Sequence, residues 1–356
     1  MRGTTFRGVR LSGASVQPQP TTRLPALIGI LGLLLPIAGL TAPALQQLLQ
    51  DHRAGVDLVA SPRETHTVTL THVVSTVPGA LDVAVVLDAS NSFADDLPTI
   101  RRLLPPLMSS LADRSDLRVA IVSFQDDVRW GGAPGNYPMR VEVPFTTNLQ
   151  ELEPVLGRMV TRGTNDFPET WPTAVEAVLD DLAWRDGTAI TRTAVLVTDA
   201  TGKHHADGFS GSPAASPDEL AERLNARAIR MITLTPRGHD PADAIGLAEA
   251  TGGSHHKITT NSSDIDAAIT DGLANIPVSL TPRLHDPSCP VEQVTVSPDS
   301  TPALPAGTHV AITVDFTVVA AATPGIYRCV ITTGDSSDLL LTIRVQKTDT
   351  RPTKPT

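Results

Sequence analysis

The stretch LDVAVVLDASNSFADDL, residues 81–97, decides how this chain is read. Its first half is a nearly unbroken apolar run, the pattern of a parallel strand buried on both faces. Within the next ten residues come Asp88, Ser90, Asn91, Ser92, Asp95 and Asp96. A buried strand that opens into an acidic, hydroxyl-rich loop has two physical explanations. Asp and Ser are common turn and capping residues, and they are also the oxygen donors that hard divalent cations prefer.

Outward from that stretch, apolar strands alternate with amphipathic helices. Strands are expected at 82–87, 117–124, 192–198 and 229–235, and helices at 95–111, 168–182, 216–228 and 240–252. Ser216, Pro217 and Glu219 read as a capping box with proline at the first helical position. The alternation predicts an α/β fold over 81–277, a doubly wound, mostly parallel sheet. Ligands in such sheets bind beyond the carboxyl ends of the strands. After residue 277 the period switches to two, with Pro, Gly and Asp turns, which predicts a small antiparallel β-sandwich over 278–346. Residues 45–80 read as a linker and further strands that cannot stand alone. They are expected to pair with the C-terminal sandwich, so that the α/β domain is inserted into it. Residues 347–356 read as a disordered tail.

The chain has 356 residues, 41% of them hydrophobic but only 3% aromatic, so its core rests on Val, Leu, Ile and Ala. The formal net charge of −10 argues against a nucleic-acid partner held through phosphates. Residues 1–44 carry Arg2, Arg7, Arg10 and Arg23 without an acid, then an apolar run and the small triplet Ala42-Pro43-Ala44. That is a signal peptide or an uncleaved signal anchor, and either places the rest of the chain outside the membrane. Cleavage after Ala44 removes four arginines and no acid, moving the charge from −10 to −14. In an exported chain, Cys289 and Cys329 are most simply one disulfide.

Asp88, Ser90 and Ser92 form D-x-S-x-S at the carboxyl end of the first strand. Asp199 ends another buried strand, and the loop 163–170 brings Asp166 and Glu169 to the same sheet edge. Together these oxygens suit a divalent cation with octahedral preference. DVAVVLDASNS, with RTAVLVTDA downstream, resembles the von Willebrand factor A domain and its metal-ion-dependent adhesion site. DASNSFADDL, SFQDD, NDFPE and TDATGKHHADG further resemble the integrin β-subunit version, which is itself inserted into a sandwich, the hybrid domain. The resemblance covers about 195 residues. It implies a central Mg²⁺ bound directly by Ser90, Ser92 and Glu169, with Asp88 and Asp199 acting through water. It also implies two flanking Ca²⁺ ions, one at Asp95 and Asp96, the other at Asp126, Asp166, the Pro168 carbonyl and Glu169. The alternative for Asp95 and Asp96 is favourable charge at a helix N-terminus.

The departures from the integrin pattern are also informative. The α/β domain lacks cysteines, the segment 127–138 is short, and no cysteine-rich stalk follows in this sequence. No integrin α subunit is therefore expected. The pairs His204-His205 and His255-His256 read as surface histidines, and Lys203 to Asp207 lie close to the metal edge. The expected function is a secreted or cell-surface, non-enzymatic module that binds an Asp or Glu carboxylate of a protein partner. The alternatives are a metal-dependent hydrolase using the same ion and a structural envelope protein.

Overall fold

The computed structural model describes residues 55–163, 168–208, 210–284 and 286–346. The expected leader, Asp166 and the C-terminal tail lie outside the described residues. Along the chain run β1 (Gly55–Ala60), β2 (Thr65–Val73), β3 (Ala80–Asp88), α1 (Leu97–Ala112), β4 (Asp116–Phe124), β5 (Arg140–Thr146) and α2 (Leu152–Arg158). Next come α3 (Trp171–Asp180), β6 (Ile190–Val197), α4 (Pro217–Ala226), β7 (Ile229–Pro236), α5 (Ala242–Ala250), β8 (Ser254–Ile258) and α6 (Ile265–Ala274). The last strands are β9 (Arg283–Leu284), β10 (Val291–Ser297), β11 (His309–Val318), β12 (Gly325–Thr332) and β13 (Leu339–Val345).

The central sheet has the order β5-β4-β3-β6-β7-β8, with only the edge strand β5 antiparallel. Strand β3 explains why the sequence run is so continuously apolar. Its Leu81, Val83, Val85 and Leu87 share one core with α1, α2 and α6. Ala84 and Val86 point the other way, into a core with α3, α4 and α5. Each such fully buried Val or Leu contributes roughly 1.5–3 kcal/mol. Asp82 breaks the run, yet it too is buried, because Arg118 and Arg185 both grip its carboxylate at the amino end of the sheet. The capping box of α4 is present: Ser216 Oγ accepts from Glu219 N–H, and the Glu219 carboxylate accepts from Ser216 N–H.

Two further sheets, β1-β13-β12-β9 and β10-β11-β2, pack around one shared core that includes Leu70, Val314, Phe316, Ile331, Leu341 and Ile343. Strand β2 pairs antiparallel with β11, while β1 runs parallel to β13. The sandwich is therefore not wholly antiparallel. The six-stranded sheet lies in sequence between β2 and β9, so both flanks of the α/β unit return to the sandwich. Cys289 and Cys329 are disulfide-bonded within the sandwich core, with Cα atoms 5.3 Å apart. At the junction, buried Asp335 accepts from His72 Nε2 at 2.8 Å and from Ser75 N–H at 2.7 Å. Among the described residues no helix is long and apolar enough to cross a membrane.

Candidate metal centre

Strands β4, β3 and β6 are neighbours and parallel, so their carboxyl ends leave the sheet side by side. Asp88 is the last residue of β3, and Asp126 and Asp199 each stand two residues beyond their strands. This is where the sequence placed the site.

Asp88 is fully buried. One carboxylate oxygen accepts from Ser90 N–H at 2.8 Å and the other from the Thr198 hydroxyl at 3.0 Å. The Ser90 and Ser92 hydroxyls lie 2.8 Å apart, and Ser92 Oγ donates to Asp199 at 3.1 Å. Two carboxylates and two neutral hydroxyls thus form one connected set of oxygens, drawn from the loops after β3 and β6. Burial, reinforced by the Asp199 charge, pushes Asp88 up to about 7. Burial likewise raises Asp199, with the Asp95 charge adding to it. The donors are all hard oxygens without a nitrogen or sulfur, a set that fits Mg²⁺ rather than a softer metal.

The remaining candidates meet different partners. Asp96 stands at the N-cap position of α1 but makes no side-chain capping bond. Instead its carboxylate accepts from the buried Ser262 hydroxyl at 2.6 Å. Burial, together with the Asp95 and Asp199 charges, raises Asp96 to about 6, and Asp95 is exposed beside it. The two adjacent carboxylates are of the oxygen-donor type that a hard cation takes. Glu169 is buried and paired through its backbone to the loop after β6: its N–H donates to Thr201 O, and its carbonyl accepts from Lys203 N–H. Pro168 is half-buried, and Asp166 lies outside the described residues.

At Asp126 an ammonium stands against the carboxylate to which the resemblance assigns a Ca²⁺. Lys203, fully buried, donates its ammonium to both Asp126 oxygens at 2.7 and 2.8 Å and to the Trp130 carbonyl at 2.9 Å. The carboxylates expected to gather are therefore partly divided among protein partners. Among the described residues no three His, Cys, Asp or Glu side chains form a metal group by themselves. The oxygens that do come together include serine hydroxyls.

Thr198, Ser262 and the role of Lys203 are not apparent from the motifs. Thr198 directly precedes Asp199 and could have been found from that adjacency. Ser262 is 166 residues from Asp96, and no local pattern links them. The adjacent histidines diverge: His205 bonds Glu219, His255 bonds Thr235 and His256 bonds Ser254.

The family model of the von Willebrand factor type A domain matches residues 82–271, more than half of the chain. The chain belongs to that family. Type A domains are in general protein-interaction modules, often metal-dependent. Among solved structures the chain is similar to the conserved hypothetical protein BatB from Bacteroides thetaiotaomicron, at 16% identity and a TM-score of 0.40. That likeness covers 55% of this chain and 98% of the other. No curated protein matches.

Proposed function

We propose that this type A domain is an exported binding module that captures an Asp or Glu carboxylate of a protein partner through Mg²⁺. The ion would be held by Ser90, Ser92 and Glu169, with Asp88 and Asp199 behind them, and flanked by Ca²⁺ at Asp95 and Asp96. The observation that carries this reading is the linked set Thr198–Asp88–Ser90–Ser92–Asp199, where two neutral hydroxyls lie between two carboxylates of raised pKa. An ion bound mainly by hydroxyls keeps much of its charge, so an anionic oxygen arriving from outside replaces water with a stronger contact. That also allows an acidic chain to hold an acidic partner.

Binding is preferred to hydrolysis because nearby carboxylates are already engaged: Asp96 with Ser262 and Asp126 with Lys203. The disulfide in the sandwich supports export to an oxidising compartment. The test has two stages. Mg²⁺ titration by calorimetry should show one site that Ser90→Ala with Ser92→Ala removes. Surface proteins retained by the immobilised native chain in Mg²⁺ should be released by EDTA and not retained by the double variant. Retention by the double variant in EDTA at unchanged affinity refutes the mechanism, and Mg²⁺-dependent turnover of a substrate refutes binding-only function.

A further inference from the structure

The most unusual group at the sheet edge is a lysine. Lys203 is among the largest fully buried side chains in the molecule. An isolated buried ammonium is costly and is kept only where opposite charge and acceptors surround it. Here Nζ donates to both oxygens of buried Asp126 and to the Trp130 carbonyl, all in the segment after β4. The lysine's own backbone N–H donates at 2.8 Å to the carbonyl of Glu169, whose N–H returns a 2.8 Å bond to Thr201. One residue therefore ties together the loops after β4 and β6 and the segment that carries Glu169.

The loop is held tightly enough to aim the side chain. Gly202 N–H donates to Asp243 at 2.6 Å. A Cβ at Gly202 would lie 2.5 Å from Pro172 and 2.6 Å from Trp171, so only glycine lets the loop pack this closely on the start of α3. Lys203 thus enters the interior from a fixed stem.

We propose that the Lys203 ammonium is a tethered cation that replaces a flanking Ca²⁺ at Asp126. It supplies the same two services, neutralising the carboxylate and joining the loops around Glu169. The point charge of an ammonium with three donors suits this task, since it needs acceptors in several directions rather than a planar fork. The domain accordingly needs no Ca²⁺ on this side, and its cation requirement narrows to the central ion and the Asp95/Asp96 flank. The inference leans on the proposed function only for the central ion, because the lysine contacts stand whether or not a partner is captured.

The test uses the full chain. Amine-reactive labelling followed by peptide mass spectrometry should leave Lys203 unmodified in saturating Ca²⁺ and in EDTA alike, while exposed Lys257 reacts in both. Labelling of Lys203 that rises with Ca²⁺ overturns the proposal, because it means the metal displaces the lysine from Asp126. In equilibrium dialysis with saturating Mg²⁺, Lys203→Gln should bind one more Ca²⁺ per chain than the native protein, and Lys203→Gln with Asp126→Asn should lose that extra ion. A folded Lys203→Gln that gains no Ca²⁺ also overturns it. Should Lys203→Gln fail to fold, native labelling still decides. Failure of Mg²⁺ binding at Ser90 and Ser92 would sink the adhesive reading but leave these outcomes unchanged.

Discussion

Replacing Asp88 by asparagine separates what the buried carboxylate costs the fold from what it gives a metal. Asp88 is fully buried, and burial with the Asp199 charge raises it from an ordinary 3.8 to about 7. A carboxyl raised in the folded state binds more protons folded than unfolded. Its contribution is therefore favourable at low pH and is lost as pH rises from about 4 through about 7. At pH 8 without metal the ionised group costs on the order of 4 kcal/mol relative to an unperturbed one. The substituted amide keeps the acceptor for Ser90 N–H and reverses the bond with Thr198, whose hydroxyl already accepts from Ala200 N–H. Asp88→Asn should therefore stabilise the metal-free protein by about 2–4 kcal/mol at pH 8, a rise in Tm of about 5–15 °C for a domain of this size. The gain should shrink as pH falls to 5.

Mg²⁺ should narrow or close that gap. Saturating ion stabilises the native chain by mass action, about 2.7 kcal/mol at a hundredfold excess over Kd, and should do little for the variant. Thermal unfolding followed by circular dichroism, in EDTA and in Mg²⁺ at pH 5 and 8, reads all four conditions. A variant less stable than native in EDTA at pH 8, or an equal Mg²⁺ shift in both proteins, refutes the reasoning.

At the other end of the same strand the electrostatics run oppositely. Although burial acts to raise Asp82, its bonds to Arg118 and Arg185 more than offset that and lower it. Removing the acid leaves two arginines facing a buried gap, so Asp82→Ala should cost about 3–5 kcal/mol in chemical denaturation, independent of Mg²⁺. Native stability from this group should be lost on acidification, opposite in sign to Asp88. Replacing Cys289 and Cys329 by serine opens a loop spanning 40 residues and should cost about 4 kcal/mol, read as a lower denaturation midpoint of the sandwich. Gly202→Ala forces the loop off Trp171 and Pro172, and calorimetry should show weakened Mg²⁺ binding in a chain that still folds.

What could be read from sequence followed from how strongly each segment is constrained. Strands β3, β4, β6 and β7 are buried on both faces, so each is an apolar run that admits one reading. Helix α4 announces itself through Ser216 and Glu219. Strands β5 and β8 and helices α2 and α6 carry weaker sequence signals, or signals that point elsewhere. Strand β8, SHHKI, is a short edge strand whose first three residues are only half-buried, so nothing demands alternation. Helix α6 contains Gly272, a poor helix former, yet a Cβ there would meet Ile232 at 2.8 Å, and packing overrides propensity. The parallel pairing of β1 with β13 was likewise invisible, since strand direction leaves no mark on a period-two pattern.

At the site, the motif D-x-S-x-S located the oxygens, but charge alone could not say what neutralises each carboxylate. An aspartate on a page of sequence looks the same whether it waits for a metal ion, accepts from Ser262, or grips Lys203. Local pattern reaches about four residues, and these partners stand 77 to 166 residues away. Lysine is also the residue least expected inside, so a reading from composition assigns Lys203 to the surface. Its burial is tolerable because Asp126 is buried with it and the Trp130 carbonyl takes a further hydrogen bond, and neither charged residue alone is a plausible core group. The pair has to be seen as a pair. The general consequence is that a shared acidic motif specifies how much negative charge a sheet edge must balance, while the fold decides which part of that balance is metal and which part is protein.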